Sequence, residues 1–308
     1  MLPRLTSLAA LAVLVPAFLN NAGAEYQTAY QPQPSAKTLP DCSPQELLAR
    51  YPQLVSTWLP AEDQQLLPSL LSKVGIRIEE FTNNFPNTTC SEAVLHESVD
   101  PRGSIQKQSQ KCRYVIVGYP HMVTMDEYRT DRRGSEIKIR SQSDRLFLTS
   151  GYATLPLLLH PAHQSGSRFR YLGTTSDPKC HLIAFAQVPF MAKLHSQFTA
   201  SPSMQVVLYN QGLIWVDQTS HQIVRMRTEL LQPATQIGLE ELSADLDFRP
   251  VAFEGSDQAF WLPYEVKVLA RYGYWTFRNR HEYSDYKRFS VNSFDKVTSP
   301  KPLGPASE

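Results

Sequence analysis

The chain has 308 residues, 42% of them apolar and 19% charged, with 30 Lys and Arg set against 29 Asp and Glu. The apolar share can fill a full-sized core, which excludes a chain disordered throughout. Near-neutrality excludes the basic surplus on which a nucleic-acid binder depends.

Met1 to Arg4 form a short basic start, Leu5 to Leu19 an apolar run, and Ala22-Gly23-Ala24 a small-residue processing site. This pattern predicts a secretory signal peptide over residues 1–24, cut before Glu25, and a periplasmic or secreted product. The apolar run falls short of the roughly 20 residues needed to cross a bilayer, and no later stretch is long enough, so no integral membrane span is expected after processing. Residues 25–40 are polar and carry prolines, reading as a flexible linker. A single domain is expected over residues 41–297, since no Gly/Ser-rich linker interrupts it. The last segment, residues 298–308, has three prolines and reads as a disordered tail.

Ser43-Pro44-Gln45-Glu46 has capping-box spacing, so a short helix is predicted to start there and stop near Pro52. Leu67, Leu70, Leu71, Val74, Ile78 and Phe81 recur at three- and four-residue steps and predict an amphipathic helix of about four turns. Beyond Cys90 the period changes to that of antiparallel strands. Ser91 to His96 and Arg113 to Gly118 form a hairpin, and Glu127–Thr130, Glu136–Ile139 and Arg145–Leu148 are weaker strands. Arg168–Gly173 and His181–Gln187 flank a turn. Gln205–Tyr209, Gly212–Asp217 and Ile223–Arg227 read as a meander. In Trp261–Leu269, Leu262, Tyr264, Val266 and Val268 alternate with Glu265 and Lys267. Phe277–Tyr283 and Arg288–Val291 end the sheet. The fold class is α+β, with one dry and one wet sheet face.

After processing, four cysteines remain: Cys42, Cys90, Cys112 and Cys180. An even count in an oxidising compartment favours two disulfides in one of three connectivities, with free buried thiols as the alternative. None has metal-ligand spacing. His160 and His163 stand three apart around Pro161 with no carboxylate at a suitable offset, and His96-Glu97 and His281-Glu282 lack the second His of a zinc motif, so no metal and no cofactor is expected. There is no G-x-S-x-G elbow and no glycine-rich phosphate loop, and no catalytic residue is assigned. Asp126, Glu127, Asp131 and Glu136 alternate with Arg129, Arg132, Arg133 and Lys138 and read as solvated cross-strand ion pairs. The polar tract Arg278-Asn279-Arg280-His281-Glu282, and Arg225 and Arg227, which share a strand face, either bind anionic headgroups or pair with acids on neighbouring strands. Asn87-Thr88-Thr89 fits a glycosylation sequon.

Gly212-Leu213-Ile214-Trp215-Val216-Asp217, a loop, and Gln222-Ile223-Val224-Arg225 read as a hairpin capped by Asp217. Leu262-Pro263 and the strand Asn279 to Phe289 follow. This order resembles the periplasmic lipoprotein-carrier superfamily, which includes the lipoprotein localisation factors and a related sensor domain. The resemblance is closest to secreted bacterial members. It implies a strongly curved antiparallel half-barrel with N-terminal helices packed on its concave face, and a cleft for acyl chains. On that basis Ile183, Phe185, Trp215, Tyr264, Val266 and Val268 are the expected apolar-ligand lining, with a closed core as the alternative. The implied partners are a lipid, a lipoprotein or another envelope protein, and the implied protein is non-enzymatic. No arginine matches the one with which the family's carriers lock their lid.

Overall fold

The computed structural model describes residues 10–16, 37–54, 56–137, 147–201, 204–256 and 258–289. The strands in chain order are β1 (Ala10–Pro16), β2 (Trp58–Pro60), β3 (Thr88–Val99), β4 (Ile105–Tyr119) and β5 (Thr124–Thr130). There follow β6 (Phe147–Thr149), β7 (Ser167–Ser176), β8 (Lys179–Gln187), β9 (Leu194–Ser201) and β10 (Met204–Leu208). The last are β11 (Asn210–Asp217), β12 (Ile223–Leu230), β13 (Leu239–Ala252), β14 (Ala259–Tyr272) and β15 (Trp275–Arg288). Three helices accompany them: α1 (Pro44–Arg50), α2 (Leu67–Asn84) and the single turn α3 (Pro161–Gln164).

Eleven strands form one sheet in the order β2-β7-β8-β11-β12-β13-β14-β15-β3-β4-β5, every pairing in it antiparallel. The remaining four make a small sheet, β10-β9-β1-β6. Here β1, the centre of the apolar N-terminal run, pairs antiparallel with β9 and parallel with β6. The rest of that run, the expected processing site and residues 25–36 lie outside the described residues, as does the tail.

Alternation decides which face each strand buries. In β3, Thr88, Cys90, Glu92, Val94, His96 and Ser98 point one way and are buried. One core cluster joins Leu70, Val74, Ile78 and Phe81 of α2 to Ile183 and Phe185 of β8, Ile214 and Val216 of β11, and Val266 of β14. Tyr114 of β4 and Met125 of β5, at the far side of the sheet, belong to the same cluster, as does Tyr171 of β7. A flat sheet of eleven strands would be roughly 50 Å wide at about 4.8 Å per strand. Each fully buried Leu, Ile or Phe of this cluster is worth about 1.5–3 kcal/mol relative to exposure. A second cluster packs Phe147, Phe198 and Val206 of the small sheet against Ala270, Tyr272 and Phe277, farther along the same faces of β14 and β15.

The capping box is present: Ser43 accepts from the Glu46 amide while Glu46 accepts from the Ser43 amide, and α1 starts at Pro44. Its position departs from expectation. Leu47 and Tyr51 pack with Leu182, Ala184, Leu213 and Trp215, on the opposite sheet face from α2. Those outward apolar residues need cover, and residues 39–54 supply it. Leu39 and Pro40, expected in the linker, are therefore buried, and the Leu39 amide donates to Gln211 Oε1.

Other expectations are corrected as well. The Gln205–Tyr209 strand belongs to the small sheet with β9, so the meander starts at β11 and runs on through β12, β13, β14 and β15. The first closing strand is longer than expected, β15 running to Arg288 through a register shift between Ser284 and Lys287, and of the second, Arg288–Val291, residues 290–291 lie outside the described residues. Glu136 makes only an isolated bridge to Thr130, and residues 138–146 lie outside the described residues. The 14-residue β13 was not foreseen.

Candidate functional site

The inward sheet face is covered by α2 and by residues 152–164. Leu155, Leu157, Leu158 and Leu159 form a buried turn leading into α3, and all four join the α2 stripe in the main core. The two coverings touch closely at Gly75, where an added Cβ would lie 2.9 Å from Gln164 Nε2 and 3.2 Å from Pro161 Cγ. Gln164 Nε2 donates to Leu71 O of α2 at 3.0 Å and to Leu159 O at 2.7 Å.

The six expected lining residues divide. Ile183, Phe185, Val266 and Val268 are in this core beneath the helical cover. Trp215 and Tyr264 are corrections, because both face outward. Trp215 packs under the N-terminal segment, with the Arg225 guanidinium over its ring at 5.0 Å; its neighbours Ile214 and Val216 are the inward residues. Tyr264 sits at a register shift where Asp247 pairs with Glu265 but Phe248 pairs with Pro263, so it is the extra residue of a bulge and is re-aimed outward. It is 42% exposed and stacks beneath Arg249, 3.4 Å from the ring centre.

Across the middle of the inward face runs a belt of buried polar groups. Glu92 of β3 is its centre. Arg129 of β5 donates through Nε at 2.6 Å and Nη2 at 2.7 Å, His281 of β15 through Nδ1 at 2.8 Å, and Tyr283 OH at 3.0 Å. Cys112 Sγ donates at 3.1 Å. Burial alone would push the Glu92 carboxyl up, but the Arg129 charge and the His281 and Arg129 hydrogen bonds hold it well below the usual carboxylate range. Burial lowers the His281 pKa despite Glu92, and its buried Nε2 has no partner among the described residues. Burial also lowers His96, to about 4, against the support of its Nδ1 contact with Asn279 Oδ1 at 3.2 Å. Asn279 Nδ2 in turn donates to Phe147 O of β6.

The belt pins the segment that carries the leucine turn. Arg129 Nη2 donates to Thr149 O at 2.9 Å. Glu127, two residues earlier on β5, accepts from the Ala153 amide at 3.1 Å, the Thr154 amide at 2.7 Å and the Thr154 hydroxyl, and from Tyr114 OH. At the far end, His163 Nε2 lies 3.1 Å from Val123 O. The solvated ion pairs expected here are thus corrected for Arg129 and Glu127: their strand faces inward and both carry tertiary contacts. The signal for the belt was parity. Asn279, His281 and Tyr283 alternate with Arg278, Arg280 and Glu282, and Glu92 shares parity with Val94 and Cys90.

Among the described residues little space is left under the cover. The cavity between the cover and the sheet, lined by Thr149, Tyr152, Ser196, Asn210, Thr228 and Val268 among others, holds about 40 Å³. The expected disulfides are not formed: Cys42, Cys90, Cys112 and Cys180 are all free thiols. Cys90 and Cys112 lie on adjacent strands but out of register, Cys90 opposite Tyr114 and Cys112 opposite Glu92. Burial, with Glu92 beside it, pushes the Cys112 thiol up to about 12, and burial takes Cys180 to about 11. Arg225 pairs with Asp245 at 3.2 Å, and Arg227 with the same carboxylate. Among the described residues there is no group of three His, Cys, Asp or Glu side chains that could hold a metal, and no helix long and apolar enough to cross a membrane.

No family model and no curated protein matches the chain. Solved structures do. A DUF1329 family protein from Desulfovibrio piger is 13% identical, with 76% of this chain and 97% of that one covered and a TM-score of 0.35. An outer-membrane lipoprotein-sorting protein domain from Vibrio parahaemolyticus is 9% identical, with 74% and 97% covered and a TM-score of 0.37. A LolA superfamily protein from Nitrosomonas europaea is 12% identical, with 75% and 96% covered and a TM-score of 0.34.

Proposed function

We propose that the protein is a periplasmic or secreted, non-enzymatic binding protein in which the large sheet curls into a half-barrel and α2 with residues 152–164 plugs its concave side. When the plug moves away, the uncovered core takes a lipid, a lipid-modified protein or another apolar ligand. The observation that carries this reading is the plug itself: its apolar side chains fill the inward face, while its polar holds include Glu127 on β5 at one end of residues 152–164 and Val123 O at the other. An acyl chain replacing the plug would recover about 0.8 kcal/mol per buried CH₂. Organic extraction of the purified protein followed by mass spectrometry, with displacement of a fluorescent fatty acid, tests this. Stoichiometric acyl species and saturable displacement are expected; absence of both overturns the reading.

The closed interior favours a second reading. Ligand sites usually offer about 300 Å³ or more, and the cavity of about 40 Å³ falls short. An envelope-protein interaction or sensor module would keep this core shut. Cross-linking in envelope extracts that yields one stoichiometric protein partner, with no acyl species, would favour it.

A further inference from the structure

The outward sheet face carries a cavity of about 390 Å³ over β12, β13, β14, β15 and β3. Its size is that of a small-molecule site, whereas the interior offers a tenth of it. The rim holds Arg227, Lys267, Arg278 and Arg280 with two carboxylates, Glu97 and Asp245, and Leu95 and Leu269 supply apolar surface. Three of the cations are reachable, with side-chain exposures of 59% for Lys267, 58% for Arg278 and 54% for Arg280.

The local pairing gives this arrangement its meaning. Elsewhere on the outward face opposite charges stand across from each other, as in Arg225 with Asp247, Arg227 with Asp245, Arg278 with Glu97 and Glu97 with Lys107. Lys267 stands directly across from Arg280, an arrangement that costs stability in an antiparallel pair. Both lean on Glu265, which faces a like-charged Glu282 in the next row. On its other side Lys267 faces Asp245 of β13, a carboxylate already bonded to Arg225 and Arg227, while Glu265 and Glu282, which bond Lys267 and Arg280, stand one row away, on the side opposite Arg278. Leu95, across from Arg280 on β3, is 41% exposed amid these charges.

We propose that this cavity binds a small anionic amphiphile, its carboxylate or phosphate head between Lys267, Arg280 and Arg278 and its apolar part on Leu95 and Leu269. An anion there offsets the repulsion of the facing cations and covers the exposed leucine. The site is separate from the interior and does not depend on the function proposed above.

Calorimetric titration of the full chain with decanoate and with decyl phosphate tests the proposal, with decyltrimethylammonium and inorganic phosphate as comparison probes. One saturable site is expected for the two anionic amphiphiles, at least tenfold tighter than for the cationic one. Lys267→Gln/Arg280→Gln should weaken the anions by at least tenfold and leave displacement of a neutral acyl probe unchanged. Leu95→Ser should weaken decanoate several-fold while leaving inorganic phosphate as it was. Raising salt from 0.05 to 0.5 M should weaken binding several-fold, because exposed charges are screened. Unchanged affinity in the double variant, equal affinity for the cationic probe, or no saturable binding overturns the proposal. Circular dichroism and the urea midpoint of each variant establish that it is folded.

Discussion

Strand β15 carries a charge cluster on each of its faces. Inward, His281 and Tyr283 meet Glu92, itself paired with Arg129, and the side chains of Glu92 and Arg129 are 0% and 4% exposed. Outward, Arg280 meets Glu265 and Glu282 in water. The chemistry is the same and the surroundings are not. In water the pair and its separated ions differ little in free energy, whereas in the interior each ion depends on the other, because either alone would be a desolvated charge. The inward cluster therefore specifies an arrangement, that of β3, β5, β15 and the segment after Thr149, while the outward cluster is free to serve recognition.

The largest effect is expected where that contrast is sharpest. Arg129→Met leaves Glu92 buried without its counter-charge and should cost about 3–5 kcal/mol in urea unfolding. The double variant Arg129→Met/Glu92→Leu should recover much of that loss; if it recovers none, the ion pair is not the source of the cost. Arg280→Met, on the other face, should leave the urea midpoint unchanged.

Acidification separates the two faces next. His96 has a folded pKa of about 4, below the roughly 6.5 of an unfolded histidine, and His281 is lowered in the same direction. A depressed histidine contributes stability above about pH 6.5 and loses it as pH falls toward its folded value. Between pH 7 and 5 the loss from His96 should be about 2 kcal/mol. His96→Asn should flatten the pH dependence of the urea midpoint; an unaltered slope would remove His96 from the explanation.

A smaller effect is expected at the clamp. Thr154→Val removes the hydroxyl donor to Glu127 while keeping the shape, and should cost about 1 kcal/mol. Hydrogen exchange should rise in residues 150–164 more than in β11 or β14. Uniform change across the chain would mean that Glu127 does not hold this segment in particular.

How far the sequence revealed this follows from range. Local signals were legible: the Ser43 capping box, the three- and four-residue steps of α2, the β7–β8 and β11–β12 hairpins, and the Asp217 turn, where the carboxylate accepts from the Thr219 and Ser220 amides. Strand β13 was hidden because its outward positions, Asp245 and Asp247, read as loop residues until Arg225 and Arg227 of β12 stand beside them. Partners as distant as Glu92 and His281, 189 residues apart, leave no mark in any local window. Parity did place His281 with Asn279 and Tyr283, but nothing in one strand says which parity faces in. Trp215 shows the same ambiguity: both faces of β11 are apolar, and only the N-terminal cover makes the outer one dry. Tyr264 fails for another reason, since a bulge breaks the alternation from which its direction was read.

The missing side chain at Gly75 has a mechanical consequence. With Pro161 and Gln164 seated against bare helix backbone, and Gln164 bonded to Leu71 O on one side and Leu159 O on the other, α2 and α3 are keyed together like a cork and its cap. Any motion that carried α2 off the sheet would therefore carry α3 with it, and a bulky residue at position 75 would part the two.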